Sequence, residues 1–330
     1  MSTIPRQEVL TYAAMMERVQ KEAARKAVAA VKSWLAKNPD WEAADLREFC
    51  IALVDSIVDE YGAAMSSLAC DLYDGTMGGD FAPAQPWSGN FRDAIRRAVR
   101  YQLQKALDGD TDGFLKAIED MTAYYTRGHA NETTMENCER DSRAYAPGGL
   151  SDDETLHQPI PRFAPSGRNA LPVRNPRRRY PGGALQPGDP AFARVPTGAE
   201  TCSYCMMLAS RGFAYRSRES AGHADHRGCN CLIIAGRHGD AVEGVDTSAQ
   251  YKCWRKLESL EAKAAQNPEE FGETPGEQKA EIERRKQAIV DSYGDSIMVS
   301  TEPGEVRKAF GGKPRQWYEP RSRMAANYTP

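Results

Sequence analysis

From Glu8 to Trp34 apolar side chains recur every three or four residues (Val9, Tyr12, Met16, Val19, Ala23, Ala27, Val31, Trp34), with Lys, Arg and Glu between them. That spacing lines one face of a helix. Asn38-Pro39-Asp40 breaks the stripe, since the residue before a proline is pushed out of helical geometry. A second stripe, Leu46, Phe49, Leu53, Ile57, Tyr61, Met65, Leu68 and Leu72, predicts a long helix ending before the Gly-rich run 74–79. Two long helices joined by so short a break are expected to pack antiparallel. After a Pro-containing loop, Phe91, Ile95, Ala98, Leu103 and Leu107 predict a third helix. Phe114, Ile118, Met121 and Tyr125 predict a fourth that stops near Gly128. The Tyr, Met and Trp on these stripes read as core rather than as a ligand pocket. Residues 1–145 are therefore expected to form a helical bundle.

Over residues 146–190 the composition changes to Pro, Gly and polar residues, which cannot continue a helix. Arg162, Arg168, Arg174 and the run Arg177-Arg178-Arg179 fall here, with no acidic residue between Arg162 and Tyr180. This predicts a basic, extended linker arm, and Arg174, Arg177, Arg178 and Arg179 are candidates for contact with DNA phosphates or an acidic partner surface. A solvated linker accounts for the arm equally well.

Residues 191–240 return to short apolar runs. Ala191 to Val195 predicts a strand, Cys205 to Ser210 a helical turn closed by Gly212, Phe213 to Arg216 a strand, and Cys231 to Ala235 a buried strand. Beyond them, residues 241–330 read as a charged helical tail. Tyr251, Trp254, Leu257 and Leu260 mark one stripe, and Glu277 to Tyr293 a highly charged helix that needs a partner surface. A short helix is expected around Val306 to Phe310. The expected fold class is thus a mainly α N-terminal bundle, a small α+β Cys/His module and a helical C-terminal tail.

At 330 residues, 41% hydrophobic and 27% charged, the chain can bury a real core. A net charge of −3 gives no global attraction to nucleic acid or membranes, so such binding needs a local patch. The start, MSTIPRQEVL, lacks the basic opening and apolar core of a signal peptide, which predicts a soluble, unsecreted protein made in the cytosol.

Four of the eight cysteines crowd into one segment: Cys202 and Cys205, then Cys229 and Cys231, with His223 and His226 between the pairs. The spacing reads C-x2-C, then H-x2-H-x2-C-x-C. Thiolates and neutral imidazoles are the ligands zinc prefers, and four of them can hold together a segment too small for its own core. The favoured set is Cys202, Cys205, His226 and Cys229, with Cys231 as substitute and His223 as the weakest candidate. A Cys202–Cys231 disulfide formed after lysis, or a group of packed reduced thiols, is the bland alternative. A cysteine hydrolase, with Asp225 or Asn230 orienting the imidazole, ranks lower, because several thiols beside two imidazoles would share a cation rather than leave one thiol activated. No P-loop, HExxH, GxSxG or glycine-rich dinucleotide turn occurs. Cys50, Cys70, Cys138 and Cys253 are expected to be core or incidental, and His129, His157 and His238 carry no assignment.

From Arg194 to Gly212, and again at His226-Arg-Gly-Cys-Asn-Cys231, the sequence resembles the C-terminal domain of Mu F-like minor head proteins of tailed phages. That family carries T-S-x-x-C followed by H-P-N-C-R and then Ser or Cys, which falls on Thr201, Cys205, His226, Cys229 and Cys231 here. Arg227-Gly228 and Asn230 depart from its pattern. The segment Asn131 to Asp141 also resembles the element preceding that domain in actinobacterial phage relatives. The resemblance implies a few-copy protein of the capsid interior, made with the portal and scaffold, that aids head assembly and DNA packaging or ejection; the leading expectation is a structural, non-enzymatic component that docks on portal or coat protein. The enzymatic alternative within that setting is a Cys/His hydrolase acting in capsid maturation.

Overall fold

The computed structural model describes residues 2–78, 81–145, 185–197, 203–217 and 231–299. The arm over 146–184, the residues Cys202, His223, His226 and Cys229, and the expected helix at Val306 to Phe310 lie outside the described residues. The described protein is mainly helical.

Helices α1 (Arg6–Lys37) and α2 (Ala43–Met77) follow the two apolar stripes, and the break at Asn38-Pro39 falls where proline chemistry puts it. They run antiparallel. Trp34 stacks on Phe49 at a ring separation of 5.1 Å, and Lys26 pairs with Glu60 at 2.7 Å. The second helix continues through Asp74-Gly75 to Met77, where the sequence pattern had it end sooner. Met77 and Tyr73 are buried in a second apolar cluster, and that burial offsets the modest helical penalty of Gly75.

Helix α3 (Arg92–Leu107) buries Ile95, Val99, Leu103 and Ala106, and α4 (Thr111–Tyr145) spans 35 residues. The expected stop near Gly128 is corrected: α4 passes through it without interruption. Gly128 is required as a notch, since a Cβ there would lie 2.6 Å from Phe91 Cζ. Beyond it the helix is held by buried polar residues, which an apolar count cannot register. Tyr73 with Asp141, and Gly62 against His129, show that α2 and α4 run in the same direction. The return between them is made half by the extended segment 81–91 and half by α3.

The short strand β1 (Thr3–Ile4) precedes α1; after α4 come β2 (Pro190–Pro196), α5 (Ser203–Ala209) and β3 (Cys231–Arg237). β2 and β3 pair antiparallel, with Phe192 opposite Ala235 and Pro196 opposite Cys231. Both faces of the ladder are covered, which explains the unbroken apolar runs. Ala191, Ala193, Val195, Leu232 and Ile234 join the main core with α1, α2 and α4, whereas Phe192, Ile233 and Ala235 pack with Tyr73, Met77, Met135 and Cys138. The expected strand from Phe213 to Arg216 is reduced to one bridge, Tyr215 to Phe192.

Strand β4 (Ala241–Val242) pairs parallel with β1, and the Arg6 guanidinium donates to the carbonyls of Asp295 (3.0 Å) and Met298 (2.9 Å). Helix α6 (Thr247–Gln266) is capped by Asp246, which accepts from Ser248 N; α7 (Pro275–Asp291) starts with a reciprocal Thr274–Glu277 capping box. The charged α7 finds its partner surface: Val290 joins Met206, Cys253, Leu257, Ile297 and Met298 in a third cluster. No helix among the described residues is long and apolar enough to cross a membrane.

Candidate functional site

Two of the five expected metal ligands lie among the described residues. Cys205 sits in α5 at 2% exposure and Cys231 opens β3 at 4%; neither is bridged. Pro196, opposite Cys231 in the ladder, also accepts a hydrogen bond from Val299 N at 2.8 Å, so three chain segments meet at this end of the sheet. Helix α5 is held by its surroundings more than by its length. Ser203 donates to the carboxylate of Glu261, which pairs with Lys286 at 3.1 Å; Tyr215 donates its hydroxyl to Leu208 O at 2.7 Å; and Gly212, at φ 61°, turns the chain out of the helix. The segments 198–202 and 218–230, which carry Cys202, His226 and Cys229, join the described chain beside α5 and at Cys231. Among the described residues no three His, Cys, Asp or Glu side chains gather as a metal group. Two buried, unbridged thiols from separate elements fit the donor chemistry of zinc.

The other cysteines differ from these by context. Cys50, Cys70, Cys138 and Cys253 are buried on helices, and burial pushes the thiols up, Cys50 to about 12 and Cys70 and Cys253 to about 11. Thiols held protonated in this way are inert at neutral pH.

A second constellation has no counterpart in the apolar pattern. One face of α4 carries His129, Thr133, Asn137 and Arg140, spaced three or four residues apart, and the extended segment 81–91 runs along it. Arg140 donates to Ala82 O (2.7 Å) and Pro83 O (3.1 Å). Asn137 accepts from Gln85 N at 2.8 Å and donates to Gln85 O at 2.7 Å, and Thr133 Oγ1 accepts from Trp87 N at 3.1 Å. The helix side chains thus take the place of a neighbouring strand, satisfying backbone groups that a Pro-containing segment cannot pair within itself. The polar residues at helical period in 129–140 were the available signal.

His129 closes this face. It is 5% exposed, its ring meets Trp87 edge-on at 5.1 Å and Phe91 at 5.3 Å, and its Nε2 has no hydrogen-bond partner among the described residues. Burial lowers its pKa to about 4, so the ring is neutral at physiological pH. Gly62 makes the space: a Cβ there would come within 2.6 Å of the ring's Cγ and Nε2.

Comparison with known proteins bears on both constellations. The sequence model of the family described as VG15 protein matches residues 4–148 and 177–257. The Gene 15 protein of Mycobacterium phage D29 is 34% identical to this chain over a stretch that covers 13% of this chain and 26% of that protein. The chain therefore matches only about a quarter of the length of that curated relative. No solved structure matches.

Proposed function

The chain belongs to the VG15 family, and from that premise we propose that it is a structural minor head protein of a tailed phage or prophage, of the Mu F-like kind. It acts without catalysis, docking on portal, coat or scaffold protein during head assembly and serving DNA packaging or ejection from inside the capsid. The observation that carries this reading is the reach of the family match: it takes in both the helical bundle and the segment with the Mu F-like spacing of Thr201, Cys205, His226, Cys229 and Cys231. The similarity to a mycobacteriophage gene product supports the phage setting.

In this reading four of Cys202, Cys205, His226, Cys229 and Cys231 would hold zinc, which would supply a cross-link. Cys205 and Cys231 provide anchors on α5 and β3, and the remaining donors tie the two intervening segments to them. The residues 1–145 bundle is the docking body, residues 191–240 the cross-linked module, and the arm with Arg174, Arg177, Arg178 and Arg179 faces packaged DNA.

The test is quantitative mass spectrometry of purified particles, measuring this chain against the major coat protein. The expected result is a few uncleaved copies per head. Absence from finished particles would overturn the reading of a virion component.

A further inference from the structure

Helix α3 presents a feature that neither the metal site nor the Arg arm accounts for. Its buried side is fully used: Ile95, Val99, Leu103 and Ala106 lie in the bundle core. Its outer half carries Arg92, Arg96, Arg97, Arg100 and Lys105 against the single carboxylate of Asp93, a local +4 on a chain of net −3. Arg92 is bound to Asp55 at 2.8 Å and Arg96 approaches Asp93 at 3.7 Å. Arg97, Arg100 and Lys105 are exposed and pair with no carboxylate among the described residues. Among them stands Tyr101, 79% exposed, the most open large apolar side chain described.

We propose that this outer face of α3 is a nucleic-acid contact surface that binds the phosphate backbone of duplex DNA without reading sequence. The inference deepens the proposed head-protein function and rests on it only for where the DNA is met. Four of the five cations are arginines, whose planar fork suits phosphate oxygens. From Arg96 to Lys105 the helix rises about 14 Å at 1.5 Å per residue. That spans about four phosphates of one strand at about 3.4 Å each, so Arg97, Arg100 and Lys105 can engage separate phosphates at once. Because the helix is already locked by its apolar side, binding has no folding cost to meet.

The same face suits other partners poorly. A protein interface needs an apolar centre, and here there is one tyrosine, with Leu107 half-exposed at the end of the helix. A membrane would need the apolar side of α3, which is buried in the bundle. Asp108, Asp110 and Asp112 follow the helix and limit the positive stretch to its first three and a half turns.

The test uses the full chain and a fluorescein-labelled duplex of mixed sequence, with binding followed by anisotropy between 50 and 200 mM NaCl. The probe protein is the triple variant Arg97→Gln, Arg100→Gln, Lys105→Gln, all at exposed positions, so its circular dichroism and melting temperature should match wild type. Each lost phosphate contact removes about 0.9 from the slope of log K against log salt, so the slope should fall by about 2 to 3. Affinity at 100 mM salt should drop at least about 10-fold. A separate Arg177→Gln, Arg178→Gln, Arg179→Gln variant isolates the arm. Unchanged binding in the α3 variant, or no binding by wild type at 50 mM salt, would overturn the proposal. So would equal competition by polyglutamate at matched charge, which would make the face a generic acidic-partner site. Particle incorporation is read independently, so a failed α3 result leaves the head-protein assignment standing.

Discussion

His129 offers a direct measurement of what the α4 polar face contributes. The ring is enclosed by Trp87, Phe91 and the Gly62 notch, and the only cause lowering its pKa is desolvation. The folded value of about 4 lies below the 6.5 of an unperturbed histidine. The folded state therefore prefers the neutral ring, and the contribution is fully present above pH 6.5 and lost as pH falls toward 4. Each tenfold change in proton affinity is worth about 1.4 kcal/mol, so the whole span amounts to about 3 kcal/mol and the part lost between pH 7.5 and 5 to about 2 kcal/mol. Asp59 and Asp71, whose carboxyls are pushed up by burial, titrate in the opposite sense. A comparison with His129→Phe cancels them, since phenylalanine fills the same aromatic box and cannot take a proton. Urea unfolding of both proteins at pH 7.5 and pH 5 is the assay. Wild type should lose about 2 kcal/mol more than His129→Phe over this interval. Identical pH dependence in the two would refute the reasoning, because the ring would then be solvated in the folded state.

Gly62→Ala drives a methyl into the His129 ring and should destabilise by about 2 kcal/mol, read as a lowered melting temperature. Asn137→Ala strands the backbone N–H and carbonyl of Gln85; a loss of about 2 kcal/mol with faster amide exchange at Gln85 is expected, and unchanged exchange would mean water replaces the side chain. Purified protein should hold about one zinc by elemental analysis, and Cys205→Ser or Cys231→Ser should lower it. Full zinc retention in both variants would remove these two residues from the ligand set.

Much of the fold is legible in the chain because its helices bury apolar stripes and little else. α1, α3 and the first part of α4 sit where Val9 to Val31, Ile95 to Leu103 and Phe114 to Met121 place them. β2 and β3 are equally plain, since both faces of the ladder are covered and their residues are apolar without alternation. The second half of α4 is a different matter. His129, Thr133, Asn137 and Asp141 are buried and held by hydrogen bonds and rings, so an apolar count sees the helix end at Gly128. The segment 81–91 was likewise readable as a Pro-containing loop, but not as one gripped by Asn137 and Arg140, because its partners lie 46 to 58 residues away. Of the Cys/His constellation, residue type and spacing name the candidate ligands; the structure adds burial and position for Cys205 and Cys231.

The pairing of β1 with β4 sets an order of events during synthesis. Thr3 and Ile4 are made 238 residues before their partners Ala241 and Val242. At translation rates of about 5 to 20 residues per second, the N-terminal strand waits about 10 to 50 seconds for them. By then all four bundle helices have emerged, and Arg6 can engage the carbonyls of Asp295 and Met298 only later still. A chain interrupted before residue 240 keeps that strand edge open to unwanted pairing. Closure of the clasp is therefore a signal that everything between Ile4 and Ala241 has been made.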